Sequence, residues 1–107
     1  MKKFLLTIIL LLAACVKFAQ KREFRGAWMQ VINGQYNGLS TPAMQQKLAH
    51  QLDVLRADGV NAIIFQVRPE CDALYASTIE PWSRFLTGRQ GQPPSPYWDP
   101  LQWMVEQ

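Results

Sequence analysis

Apolar and polar positions mark out the elements of this chain one after another. An uninterrupted apolar run covers Phe4 to Ala14, directly after Lys2 and Lys3. Phe24, Ala27-Trp28-Met29 and Val31-Ile32 mark a first strand over 24–32, with Gly26 permitting a close backbone approach. Met44, Leu48, Leu52 and Leu55 recur at helical spacing, while Gln45, Gln46, Lys47, Gln51 and Arg56 supply the wet side. Thr41 is placed to cap that helix, Pro42 suits its first position, and Asp58-Gly59 suits its end. Ala62-Ile63-Ile64-Phe65 is then a second, continuously apolar strand, of the kind covered on both faces in a parallel sheet.

Strand, helix, strand in that order is one βαβ unit. Repeated eight times, the spacing of its strands gives roughly 300 residues, near the size of a (β/α)8 barrel with insertions. The fold class predicted is α/β, the N-terminal portion (first two βα units) of a TIM-type barrel. Residues 23–107 are expected to be an incomplete N-terminal part of such a domain, because the helix begun at Asp99 or Pro100 carries no stop signal before Gln107.

Between the second strand and that helix lies the longest irregular stretch, Arg68 to Pro100, with six of the seven prolines. Leu74, Tyr75, Trp82, Phe85, Leu86, Tyr97 and Trp98 give it apolar contacts of its own, so it is expected to be ordered and to lie over the mouth of the sheet.

The N-terminal run is too short for a membrane span, which takes about 20 residues. It fits a secretory signal peptide over 1–14. Leu12-Ala13-Ala14-Cys15 resembles a bacterial lipobox, which implies lipidation of Cys15, a lipid-anchored tether over 15–22 and an exported, membrane-anchored lipoprotein at the periplasm or cell surface. Ordinary cleavage after Ala19 is the competing reading, with Lys17 where a small residue is wanted. Two of the three net positive charges vanish with Lys2 and Lys3, and no basic patch interleaves with aromatics, so nucleic acid is not an expected partner. Cys71 reads as a small buried residue, and His50, the only histidine, as a solvated helix position. No metal or cofactor is expected, since no metal-spaced cluster, phosphate loop or dinucleotide fingerprint occurs.

Candidate chemistry clusters where the second strand should end, because ligands of α/β folds bind at the carboxyl ends of parallel strands. Gln66, Arg68, Glu70 and Asp72 bring amide, guanidinium and carboxylate groups there within seven residues. Arg68 suits a carboxylate or sugar hydroxyls, or else an internal ion pair with Asp72 or Glu70. Two carboxylates so close in a turn seldom flank one glycosidic bond, so Glu70 and Asp72 are assigned to binding or orientation before catalysis. Tyr75, Trp82, Tyr97 and Trp98 are either sugar-stacking faces or the loop's own small core.

Arg22-Glu23-Phe24-Arg25-Gly26-Ala27-Trp28, the run Gly59 to Val67 with Arg68-Pro69, Asp72-Ala73-Leu74-Tyr75, Glu80-Pro81-Trp82-Ser83, Leu86-Thr87-Gly88 and Asp99-Pro100-Leu101 resemble the start of the bacterial glycosyl-hydrolase-like family ten. The resemblance implies a barrel acting on glycosidic bonds, with peptidoglycan-derived glycan strands as a substrate class. It assigns substrate binding to Gln66, Arg68, Asp72, Tyr75 and Trp82, and the catalytic carboxylates to later strands beyond Gln107. Cys71 departs from the pattern, where a small residue such as Gly or Ala is expected. The alternative is a non-catalytic surface glycan-binding lipoprotein on the same scaffold.

Overall fold

A computed structural model describes residues 1–18 and 23–107; for residues 15–18 it describes the backbone only. The elements are α1 (Lys2–Phe18), β1 (Gly26–Met29), α2 (Thr41–Ala57), β2 (Ala62–Phe65), α3 (Arg84–Thr87) and α4 (Pro100–Glu106). Every residue of α1 up to Ala14 is exposed. No helix among the described residues is long and apolar enough to cross a membrane. The helix continues to Phe18, three residues past Cys15; the Cys15 side chain and residues 19–22 of the expected tether lie outside the described residues.

The predicted βαβ unit is present. β1 and β2 pair in parallel, Ala27 beside Ile63, Trp28 beside Ile64 and Met29 beside Phe65. β2 spans the expected apolar run, whereas β1 is shorter than the strand expected over 24–32. Because side chains alternate across a strand, the odd-numbered positions share one face and the even-numbered ones the other. Met29 is buried, and Ile63 and Phe65 pack at the margin of the same core cluster. On the opposite face Trp28 is 60% exposed and Ile64 45%. The expected burial of β2 on both faces is therefore met on one only. Among the described residues, apolar side chains of α2 and α4 join the core on the odd face, and no matching layer covers the even one.

α2 carries the expected stripe: Met44 and Leu48 are buried, and Leu52 and Leu55 pack against the cluster. Its cap lies one residue earlier than expected. Ser40 is the N-cap, its Oγ accepting from the Ala43 N–H at 3.4 Å. Thr41 is inside the helix and buried, and its hydroxyl donates to the Pro96 carbonyl at 2.7 Å. That bond reaches a residue 55 positions on and recruits Thr41 away from capping. The stop is as predicted, with Gly59 at φ +86°, a conformation costly for residues with a Cβ. His50 is exposed.

The stretch after β2 is ordered and contains structure that its prolines concealed. Ala73 forms an isolated parallel bridge with Trp82, its N–H donating to the Pro81 carbonyl at 2.8 Å while its carbonyl accepts from the Ser83 N–H at 2.9 Å. Ser83 then caps α3, which ends at Gly88 in the left-handed region. Leu74, Phe85, Leu86 and Trp98 are buried here and merge with Val31, Tyr36, Met44 and Leu48 into one core.

Candidate substrate-binding wall

β2 ends at Phe65, and the Gln66 N–H still donates to the Met29 carbonyl of β1 at 3.0 Å. Gln66 Oε1 accepts from the Val31 N–H at 2.9 Å and the Ile32 N–H at 3.4 Å, tying the exits of the two strands together. Leu74 N–H donates to the Val67 carbonyl at 2.9 Å, folding the following segment back over the carboxyl end of the sheet.

Arg68 does not pair with either partner expected for it. Its NH2 group lies 3.1 Å from Glu80 Oε1, with the guanidinium side chain 53% exposed and the carboxylate side chain 19%. Glu80 is itself held. Its Oε2 accepts from the Ser77 hydroxyl at 2.6 Å, and Ser77 Oγ accepts from the Ile79 and Glu80 N–H groups at 3.1 and 3.0 Å. The Ser77 hydroxyl above all, then the Arg68 charge and the Tyr75 hydroxyl, hold the Glu80 carboxyl below its usual range. Tyr75 is half-buried beside this group.

The other two carboxylates point elsewhere. Glu70 meets Arg84 in a bidentate pair, both contacts 2.7 Å, and Arg84 lies over the Phe85 ring at 4.4 Å. That pairing lowers the Glu70 pKa and raises that of Arg84. Asp72 is fully buried; Oδ1 accepts from the Glu70 N–H at 3.2 Å and Oδ2 from the Gln90 side-chain amide at 3.4 Å. Its carboxylate serves the interior of the loop. Between them, Cys71 is exposed with φ +56°, which corrects the expectation of a buried thiol. Of the small residues expected there, Gly or Ala, only glycine would take that left-handed backbone without strain.

The aromatics divide. Trp98 is buried, edge-on to Trp103 with centroids 6.0 Å apart, and belongs to the core. Trp82 is half-buried and meets Tyr97 edge-to-face at 5.8 Å, with Tyr97 65% exposed. Of the five residues named from sequence, the fold thus places Gln66 and Arg68 at the strand exit, Tyr75 beside the Arg68–Glu80 pair, Trp82 in an aromatic pair and Asp72 inside the loop. Sequence reasoning missed Glu80 and Ser77. Their signal was a serine three residues before a glutamate, the spacing at which a hydroxyl meets the later backbone N–H and carboxylate. No group of His, Cys, Asp and Glu suited to a metal occurs among the described residues.

A parallel βαβ unit whose strand exit carries polar groups presents them where ligands of α/β folds bind. Residues 23–107 match the family described as "Glycosyl hydrolase-like 10", and the chain belongs to that family. It is 40% identical over 90 residues to "Glycosyl hydrolase YngK" of Bacillus subtilis, covering 80% of this chain and 17% of that protein. It is 43% identical over 63 residues to "Glycosyl hydrolase DigH" of Escherichia coli K12, covering 59% of this chain and 14% of that protein. The chain thus spans less than a fifth of the length of these curated relatives.

Proposed function

We propose that the full-length protein hydrolyses glycosidic bonds in a glycan, and that residues 66–99 form one wall of its cleft. The observation that carries this reading is the position of Gln66 and Arg68 at the carboxyl end of β2, with Glu80 paired to Arg68 and Tyr75 beside that pair, in a chain of a glycosyl hydrolase-like family. The scaffold we propose is a (β/α)8 barrel. The even-numbered face of β1 and β2, which carries Trp28 and Ile64, would then be barrel interior, covered by later strands. Hydrolysis needs two carboxylates flanking the scissile bond, with the acid protonating the leaving oxygen as an oxocarbenium-like centre develops. Glu70 is clamped by Arg84 and Asp72 is buried, so the pair is assigned to strands beyond Gln107. Gln66, Arg68, Tyr75 and Trp82 hold the sugar, and Asp72 sets the shape of the loop that carries Tyr75.

The substrate class proposed is peptidoglycan-derived glycan strands. Export and lipidation at Cys15 are part of the same reading, supported by two lysines ahead of an apolar run that buries nothing against the fold. The test is release of new reducing ends from peptide-free glycan strands by the full-length protein. Release that falls about tenfold in Arg68→Ala is expected, the loss of a hydrogen bond to a charged group. Tight binding of strands without release would instead establish a non-catalytic glycan-binding lipoprotein. Neither binding nor release would refute both.

A further inference from the structure

Arg68 does not stand at the strand exit as a free cation. It is matched one-to-one by a carboxylate, and that carboxylate is fixed independently of it. Ser77 holds Glu80 Oε2 at 2.6 Å and is itself locked by two backbone N–H groups, so Oε1 is presented to Arg68 whether or not a ligand is bound. One NH2 of a five-donor guanidinium faces Glu80, and the side chain is still 53% exposed, leaving donors directed outward. The carboxylate in turn has acceptor capacity beyond the bonds it makes.

We infer that Arg68 and Glu80 act together as a charge-compensated clamp for neighbouring hydroxyl and acetamido groups of an uncharged sugar ring, rather than Arg68 acting alone as a receptor for a carboxylate. This rests on the glycan reading above and narrows it. A hydroxyl and an acetamido group each both donate and accept, so the two side by side can satisfy the guanidinium and the carboxylate at once. An anionic group can use only the guanidinium, and must approach Glu80 as a like charge while doing so. The pair carries no net charge, so no long-range attraction repays that approach.

Peptide-free peptidoglycan glycan strands provide the test, because each lactyl carboxylate can be left free or converted to an amide without changing the sugar hydroxyls. KM for both strands is measured with full-length wild type, Arg68→Ala and Glu80→Gln. Arg68→Ala is expected to raise KM about tenfold on both strands, leaving the ratio of free to amidated substrate as in wild type. Glu80→Gln uncovers the Arg68 charge and is expected to shift preference toward the free carboxylate by about threefold or more, a gain that mere loss of structure cannot produce. If amidation weakens wild type but not Arg68→Ala, Arg68 reads the carboxylate and the clamp is overturned while the glycan reading stands. Should Glu80→Gln not fold, the comparison of wild type with Arg68→Ala decides alone. If wild type acts on and binds neither strand, the glycan reading itself falls, and the clamp with it.

Discussion

The family resemblance makes Asp72 a sugar ligand, yet the structure turns both its oxygens inward, and the two roles make opposite predictions for one substitution. Asp72→Ala removes an acceptor for the Glu70 N–H at 3.2 Å and for the Gln90 amide at 3.4 Å, at a site with no solvent exposure to take their place. Hydrogen bonds to a charged acceptor are worth roughly 1.5–3 kcal/mol each, and the second is long, so a loss of about 3 kcal/mol is expected. Asp72→Asn behaves differently. Asn Oδ1 still accepts from the Glu70 N–H, and the Gln90 amide, turned over, accepts from the new NH2, so both contacts survive within about 1 kcal/mol. Thermal unfolding and steady-state hydrolysis by the full-length protein are measured side by side. The expected result is a clear drop in Tm for Asp72→Ala and, for Asp72→Asn, near wild-type values of Tm, kcat and KM. A folded Asp72→Asn protein with kcat or KM altered a hundredfold would show that the charge meets the substrate, and the scaffold role would be wrong.

Two further outcomes follow from the same loop. Cys71→Gly is expected to raise stability by about 1 kcal/mol, read as a shift in urea midpoint, because a left-handed φ of +56° strains any residue with a Cβ; an unchanged or lowered midpoint counts against that strain. Glu70 and Glu80 both have folded-state pKa values lowered from 4.5, so the stability they contribute is present above that value and is lost as pH falls through it toward the lowered one. The urea midpoint should therefore fall on acidification below about pH 4.5, and less steeply in Glu80→Gln; identical slopes would exclude Glu80 as a contributor.

The parts of this fold that were legible in sequence are those set by local periodicity. Met44, Leu48, Leu52 and Leu55 announce α2, and Ala62 to Phe65 announces β2, because one buried face imposes its own spacing. The cap of α2 was misplaced since Ser40 and Thr41 are equally able to accept from a helical N–H, and the choice is made by Pro96, a contact that no local pattern contains. The same holds at the candidate site. Gln66 and Arg68 were found because they follow a strand, but the partner of Arg68 depends on how a proline-rich segment folds back. Nearness along the chain favoured Glu70 and Asp72, whereas the backbone turns Glu80 toward Arg68 and gives Glu70 to Arg84. Trp98 and Tyr97 are adjacent and chemically alike, yet one is core and the other surface, a distinction set by tertiary contacts.

Asp99 grips two elements at once: Oδ1 takes the Gln102 N–H at the start of α4, and Oδ2 takes the Ala76 N–H in the stretch that carries Tyr75. With Leu101 N–H bonded to the Leu74 carbonyl, that stretch is riveted to the helix that follows it. Such a segment cannot swing as a flap over a bound polymer. On the proposed reading a glycan would meet a stationary rail here, so that little ordering entropy would be spent on capture, and a gate retaining the strand would be built from other parts of the protein.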